Sequence, residues 1–325
     1  MGRFSACFDR FPCATLHQRI TLLGQDKSSG RNQHHKAFPG LALSVVLVTG
    51  GSGFVGTQIL RRLVENGHTL RLVARPGAAR SLAVSHPDAT ILMSEDLFAH
   101  SAAWWEESCR GVDAIIHAAW YVNPADYLDS EKNAACVSGS FKMAQGAARA
   151  GVKHFIGLGT CMEYALPSER LDIDAPTAPS TVYGASKLAL FEILDAVFET
   201  GAVRFSWCRL FYLFGEGENE KRLFPYLKRC LEAGEKAQLG SGTQLRDYLD
   251  VSAAGACIAD VVDTGQPGAI NICSGQPVSI RRFAEGIADR YGRRDLLEFG
   301  IHQPHPRDPS AVVGVPNVVS RDRKG

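Results

Sequence analysis

The chain has 325 residues, 45% of them apolar, which suits one compact α/β unit or a larger domain with a smaller lobe. Its formal net charge is +1, and no run of Lys and Arg resembles a nucleic-acid or membrane footprint, so a small molecule is the expected partner. The longest near-continuous apolar stretch, Leu41 to Val48, is too short to span a bilayer.

Residues 1–40 differ in character from the rest of the chain. They carry Arg3, Arg10, Arg19, Lys27, Arg31 and Lys36 against only Asp9 and Asp26, with a polar stretch from Lys27 to His35. No apolar core of secretory-signal length is present. Composition favours a disordered extension, or a wrongly assigned start, over a basic transit peptide. The nine cysteines are dispersed without a C-x-x-C pair, which reads as reduced, packed thiols in a cytoplasmic protein. The ten histidines show no ligand spacing; the adjacent His34 and His35 lie in the polar leader, and no metal is implied.

From residue 41 the pattern changes. Val45-Val46-Leu47-Val48 reads as a strand buried on both faces. Helical spacing runs from Phe54 to Val64, and Asn66-Gly67 is a helix stop. Further strands are expected at Leu70–Val73, Thr90–Met93, Asp113–His117 and His154–Leu158, with a helix over Asn133–Ala150 before the last. Another helix, Val182–Glu199, precedes a strand at Arg204–Leu210. Alternation of this kind means an α/β fold: a Rossmann-type, doubly wound parallel sheet. Beyond Phe211 the elements shorten and Gly, Pro and charge increase. We therefore divide the chain into a dinucleotide-binding domain over 41–215 and a smaller C-terminal substrate lobe over 216–325, with segments near 250–273 returning to the main sheet.

The first strand runs into Gly50-Gly51-Ser52-Gly53-Phe54-Val55-Gly56. Glycine allows the sharp strand-to-helix turn and the close approach of a pyrophosphate, and the helix then points free N–H groups at that phosphate. A glycine motif alone is weak, but here it sits between a strand and a helix, the context dinucleotide binding requires. After the second strand, where an acid would hold a ribose 2′-hydroxyl, stands Arg75, with Arg80 beyond it. A guanidinium there can pair with a 2′-phosphate, which favours NADP over NAD; an exposed loop arginine is the other reading.

Tyr183 and Lys187 lie four residues apart on one predicted helix face. An ammonium beside the phenol is expected to lower its pKa and make it a usable acid/base. Thr160 ends the fifth strand, at the carboxyl edge where such sheets bind ligands, and its hydroxyl could polarise a substrate carbonyl.

Together these residues resemble the extended short-chain dehydrogenase/reductase family, the NAD(P)-dependent nucleotide-sugar epimerases, dehydratases and reductases. The resemblance covers most of the chain from about Val45 to Arg282. It implies that Gly50, Gly53, Phe54, Val55 and Gly56 cradle the pyrophosphate, that Asp96 and Leu97 contact adenine, and that Ala118 and Ala119 pass beneath the cofactor. It further implies Tyr183, Lys187 and Thr160 as the catalytic set, with Lys187 also holding the nicotinamide ribose. In Gly242-Thr243-Gln244-Leu245-Arg246-Asp247-Tyr248, Arg246 would grip a sugar nucleotide's diphosphate, its alternative being a surface ion pair with Asp247 or Asp250. The implied assembly is a homodimer packed through helices near 131–150 and 182–199.

The departures from the family pattern narrow the chemistry. Cys161 and Met162 stand where dehydratases carry an acid pair, which disfavours elimination of water. Cys136 replaces the Asn of N-x-x-G, and Asn133 is the nearest alternative. Thr160-Cys161-Met162-Glu163-Tyr164 looks most like enzymes that reduce or epimerise 4-keto-deoxysugar nucleotides. The expectation is a 4-ketoreductase. A 4-epimerase would use the same residues twice, and a non-catalytic NADP-sensing or scaffold protein is opposed by the presence of both Tyr183 and Lys187.

Overall fold

The computed structural model describes residues 43–199, 201–303 and 307–319. The expected disordered extension over 1–40 lies outside them. In chain order the first half reads β1 (Val45–Thr49), α1 (Phe54–Glu65), β2 (Thr69–Ala74), α2 (Pro76–Ser85), β3 (Thr90–Met93), α3 (Ala102–Ser108), β4 (Ala114–His117), α4 (Lys132–Arg149), β5 (His154–Thr160), β6 (Ser168–Leu171), α5 (Val182–Glu199) and β7 (Arg204–Leu210). The second half continues with β8 (Tyr212–Phe214), α6 (Leu223–Ala233), β9 (Ala237–Gly240), β10 (Leu245–Asp250), α7 (Val251–Thr264), β11 (Gly268–Ile272), β12 (Pro277–Ser279), α8 (Ile280–Tyr291), β13 (Leu297–His302) and β14 (Ala311–Gly314).

Seven strands form one sheet in the order β3-β2-β1-β4-β5-β7-β11, every pair parallel. Alternation along β1 explains how both faces are filled. Val46 and Val48 join a core that includes Ile59, Leu60 and Leu63 of α1, while Leu47 turns to the opposite face with Met143 and Ala144 of α4 and Leu190 of α5. Ile115 and Ile116 of β4 divide in the same way, and both are fully buried. Each such side chain contributes roughly 1.5–3 kcal/mol. This is the doubly wound α/β architecture expected from the strand and helix periods.

The chain returns to this sheet after leaving it. Helix α7 lies against α1, where Arg62 makes a two-pronged pair with Asp260 at 2.9 and 3.0 Å. Strand β11 then pairs with β7 at the sheet edge. A second sheet centres on β10, which pairs with β12, β14 and β8. Helices α6 and α8 enclose a separate apolar cluster over β9, with Leu227, Leu231, Leu239 and Ile287.

The site's position is set by strand register. Thr49 lies beside His117, His117 beside Gly157, and Thr160 beside Leu210, so the carboxyl ends of β1, β4, β5 and β7 form one continuous rim. The strand order reverses between β1 and β4, the place where open sheets of this kind leave a crevice.

Candidate active site

The turn after β1 is shaped by close approach. Gly50 has φ of +74°, and a Cβ there would fall 2.7 Å from the Ala119 nitrogen and 2.8 Å from the Ala118 carbonyl carbon. A Cβ on Gly56 would fall 2.0 Å from the Gly50 oxygen. The Gly53 amide closes the turn on the Gly50 carbonyl at 3.0 Å and precedes α1 as its N-cap. No side chain caps α1 and no acid lies in its first turn, so Phe54 and Val55 begin a helix whose positive end is open to an anion. This cradle fits a dinucleotide pyrophosphate.

A buried relay holds that turn in place. The Ala119 amide donates to Thr49 Oγ1 at 3.3 Å, and Thr49 Oγ1 lies 2.7 Å from His117 Nδ1. His117 Nε2 lies 2.8 Å from Ser140 Oγ, which itself donates to the Cys136 carbonyl at 2.7 Å. Ser140 therefore accepts from Nε2–H, and Nδ1 accepts from Thr49. Burial, aided by the nearby Lys187 charge, pushes His117 down to about 3, so the ring is neutral at physiological pH.

Arg75 is the N-cap residue of α2 and is exposed. Asp96 is also exposed, accepts the Phe98 amide at 2.9 Å, and caps a short turn containing the half-buried Leu97. Both lie just past the carboxyl ends of adjacent strands, since Ala74 pairs with Met93.

The structure brings Thr160, Tyr183 and Lys187 together. The Tyr183 amide donates to Leu128 O at 2.9 Å, and its phenol lies near enough to the Thr160 side chain to feel it. The rings of Tyr127 and Trp120 flank it edge-on, at 5.1 and 6.5 Å. The expected lowering of the phenol by Lys187 does not appear. Burial instead raises Tyr183 well above the ordinary tyrosine value, with Tyr127 and Glu163 adding to the push. The reason is direction: Lys187 Nζ donates to Leu158 O at 2.6 Å and lies 3.7 Å from the centre of the Trp120 ring. Burial pushes this lysine down to about 7.

Asn133 is wholly buried, and its side chain is committed to the framework. It donates to Tyr127 O and Ser130 O at 2.8 and 2.9 Å and accepts Trp120 Nε1 at 2.8 Å. It thus aims the indole at Lys187 and shapes the 127–130 loop. Cys136, one turn along α4, is the residue whose sulfur lies within the field of Lys187.

Sequence reasoning left one cluster unread. Glu163, with no exposed surface, accepts the Thr160 amide at 2.8 Å, Trp207 Nε1 at 3.1 Å and Arg209 Nε at 2.7 Å. Arg209 also donates to the Tyr164 hydroxyl at 3.0 Å, which donates in turn to Asn271 Oδ1 at 2.7 Å. The signal was present: Thr160-x-x-Glu163 is a capping-box pattern, and both of its bonds form.

Arg246 stands apart from this corner. It is buried, with Nη2 2.5 Å from Asp308 and Nη1 2.8 Å from both Leu245 O and Pro309 O. Neither neighbouring acid pairs with it. Asp247 instead takes the Ser274, Gly275 and Gly314 amides, and Asp250 caps α7 through Ser252. The field of Arg246 nevertheless reaches Cys161, beside Thr160. Arg307, next to Asp308, pairs with Asp129 at 3.0 Å and ties this segment to the loop behind Tyr183.

The profile of the NAD dependent epimerase/dehydratase family matches residues 46–273. The dTDP-6-deoxy-L-talose 4-dehydrogenase (NAD(+)) of Aggregatibacter actinomycetemcomitans is 24% identical over 83% of this chain and 98% of its own length. The dTDP-6-deoxy-L-talose 4-dehydrogenase (NAD(P)(+)) of Kitasatospora kifunensis is 28% identical over 78% of this chain and 81% of its own. In fold, the UDP-N-acetylglucosamine 4-epimerase of Methanobrevibacter ruminantium M1, solved with UDP-N-acetylmuramic acid, superposes with a TM-score of 0.74 at 21% identity, over 84% of this chain and 90% of that one.

Proposed function

The chain belongs to the NAD dependent epimerase/dehydratase family, and from that premise we propose that it is an NAD(P)-dependent enzyme reducing a 4-keto-deoxysugar nucleotide. The observation that carries this reading is the convergence of the Thr160 side chain and the Tyr183 phenol at the carboxyl end of β5, with Lys187 one turn along the same helix and bonded to Leu158 O. Two relatives named as 4-dehydrogenases of a 6-deoxysugar nucleotide support the substrate class, since dehydrogenation and reduction are one reaction in opposite directions.

When bound, the nicotinamide supplies a hydride to the sugar carbonyl carbon. Tyr183 gives its phenolic proton to the carbonyl oxygen, and the burial that raises its pKa keeps it in the donor form at neutral pH. Thr160 orders that oxygen through its hydroxyl, which already faces the phenol. Lys187 provides a positive charge that the phenolate attracts as it forms. Gly50, Gly53, Phe54, Val55 and Gly56 hold the pyrophosphate against Ala118 and Ala119, and Asp96 and Leu97 meet the adenine.

Exposed Arg75 favours NADP over NAD, through pairing with the 2′-phosphate. Arg246 takes the substrate diphosphate, which must compete with Asp308 for its guanidinium. Residues 41–215, with the returning stretch near 250–273, serve the cofactor, and the rest of 216–325 serves the sugar nucleotide. The assembly is a homodimer through α4 and α5, testable by light scattering. No helix among the described residues is long and apolar enough to cross a membrane, and a cytoplasmic location is part of the same proposal.

The deciding experiment mixes the protein with NADPH and a dTDP-4-keto-6-deoxyhexose and monitors the loss of reduced-nicotinamide absorbance. Stoichiometric oxidation is expected. Interconversion of 4-hydroxy epimers without net change in cofactor would replace this reading with a 4-epimerase.

A further inference from the structure

Glu163 is a carboxylate without solvent contact, placed directly behind the proton-transfer groups. Its oxygens face donors: the Thr160 amide, the Trp207 indole and the Arg209 guanidinium. Burial pushes its carboxyl upward, but these donors oppose that push, and a carboxylate ringed by N–H groups and a guanidinium is favoured in its charged form. The surrounding backbone leaves room for it. A Cβ on Gly159 would fall 2.5 Å from Glu163 Oε1 and 2.2 Å from Trp207 Nε1, so this position of β5 admits both side chains only as glycine.

Two features connect the carboxylate to the reaction centre. The first is positional: it holds the Thr160 amide while the Thr160 side chain receives the Met162 amide, which fixes the hydroxyl facing Tyr183. The second is electrostatic. Trp207 donates its N–H to Glu163, and its ring lies 5.8 Å from Lys187 Nζ. The titratable groups facing Lys187 are Glu163 after β5, Cys136 on α4 and neutral His117 on β4. Those facing Tyr183 are Tyr127, Glu163 and Cys161.

Resting on the catalytic reading above, we infer that Glu163 is a positioning residue for proton transfer: its carboxylate fixes Thr160 through the backbone and supplies negative charge that favours the ammonium form of Lys187 beside a protonated Tyr183. The consequence is directional. With both groups protonated the site is in the form that gives a proton to a carbonyl, and the reverse reaction starts from the form that has lost one. The sign agrees with the local shifts, because burial drives Lys187 down and Glu163 works against that fall.

The test titrates Lys187 itself, in protein carrying ε-13C-labelled lysine, with the resonance assigned through Lys187→Met. No sugar substrate enters, so the outcome is independent of whether the catalytic reading succeeds. In Glu163→Gln the acid dissociation constant of Lys187 is expected to rise about tenfold or more. In Glu163→Asp, which keeps the charge, it is expected to stay near the wild-type value. Should Glu163→Gln fail to fold, the Glu163→Gln/Arg209→Gln double variant removes the whole buried pair and is expected to show a smaller rise, since the lost guanidinium offsets part of the lost carboxylate. A Lys187 midpoint unmoved in either folded Gln variant would overturn the inference. So would a midpoint that falls as far in Asp as in Gln, since packing and not charge would then be the cause.

Discussion

The two halves of the site are built by opposite means. The turn after β1 works by omission: Gly50, Gly53 and Gly56 leave out side chains so that backbone amides stay open and a phosphate can approach. The corner around Tyr183 works by crowding, with Lys187, Glu163, Arg209 and Thr160 all buried, Glu163 bonded to Thr160 and Arg209 and Lys187 to Leu158 O. The first half needs shape and is tolerant of pH. The second needs a particular set of charges in a place where charge is disfavoured, so small changes there act on chemistry before they act on folding.

The largest effect expected from this contrast is on turnover. Tyr183→Phe removes the proton donor but no packing volume, and it should lower kcat on the order of a thousandfold while leaving dinucleotide affinity nearly unchanged. Steady-state kinetics with a parallel binding titration would show this. Full turnover by the Phe variant would remove Tyr183 from the reaction and revive a non-catalytic role for the fold.

A comparable dissection of the turn separates two glycines that look equivalent in sequence. A Cβ on Gly56 meets the Gly50 carbonyl at 2.0 Å, whereas one on Gly53 meets it at 3.2 Å. Gly56→Ala should therefore destabilise the protein by about 1–3 kcal/mol and weaken dinucleotide binding, with Gly53→Ala much milder. Denaturant melts of the two variants are the measurement. Equal losses would mean that the turn relaxes freely and that close approach is not what selects glycine at position 56.

The same contrast decides how much of the molecule is legible in the amino-acid sequence. The turn lies within seven consecutive residues between a strand and a helix, and the Tyr183–Lys187 spacing is one helical turn, so both are local patterns. The sheet is legible for the same reason, because a buried parallel strand is a short apolar run. The corner is not local. Lys187 is aimed by the Leu158 carbonyl and by Trp120, which Asn133 in turn holds, and no spacing announces that arrangement. Glu163 carries a readable capping pattern, but its partners Trp207 and Arg209 arrive only through the pairing of β5 with β7. The Arg246 partner is hidden more deeply, since Asp308 lies 62 residues along the chain.

Arg75 tests whether the open half also selects its ligand. Arg75→Ala should weaken NADP about tenfold, the effect of losing one exposed charge-assisted contact, and leave NAD binding unchanged. Isothermal titration with both dinucleotides would decide it. An equal loss for NAD would assign the guanidinium to adenine stacking, and no loss for either would remove it from the site.

A last effect, small within any one pH unit, separates the halves by pH. Lys187 sits near 7 in the folded protein against 10.5 for an exposed lysine, so between these values the unfolded chain holds more protons. Stability must then rise with pH across that window, by up to about 1 kcal/mol per pH unit from this residue, and become independent of this residue's titration below the folded value. Denaturant unfolding at several pH values should show this rise in the wild type and a flatter profile in Lys187→Met. Gly56→Ala, whose strain involves no titrating group, should lie below the wild type by the same amount at every pH. If the Lys187→Met profile kept the wild-type slope, the ammonium would not be desolvated in the folded state, and crowding would no longer distinguish this corner from the turn.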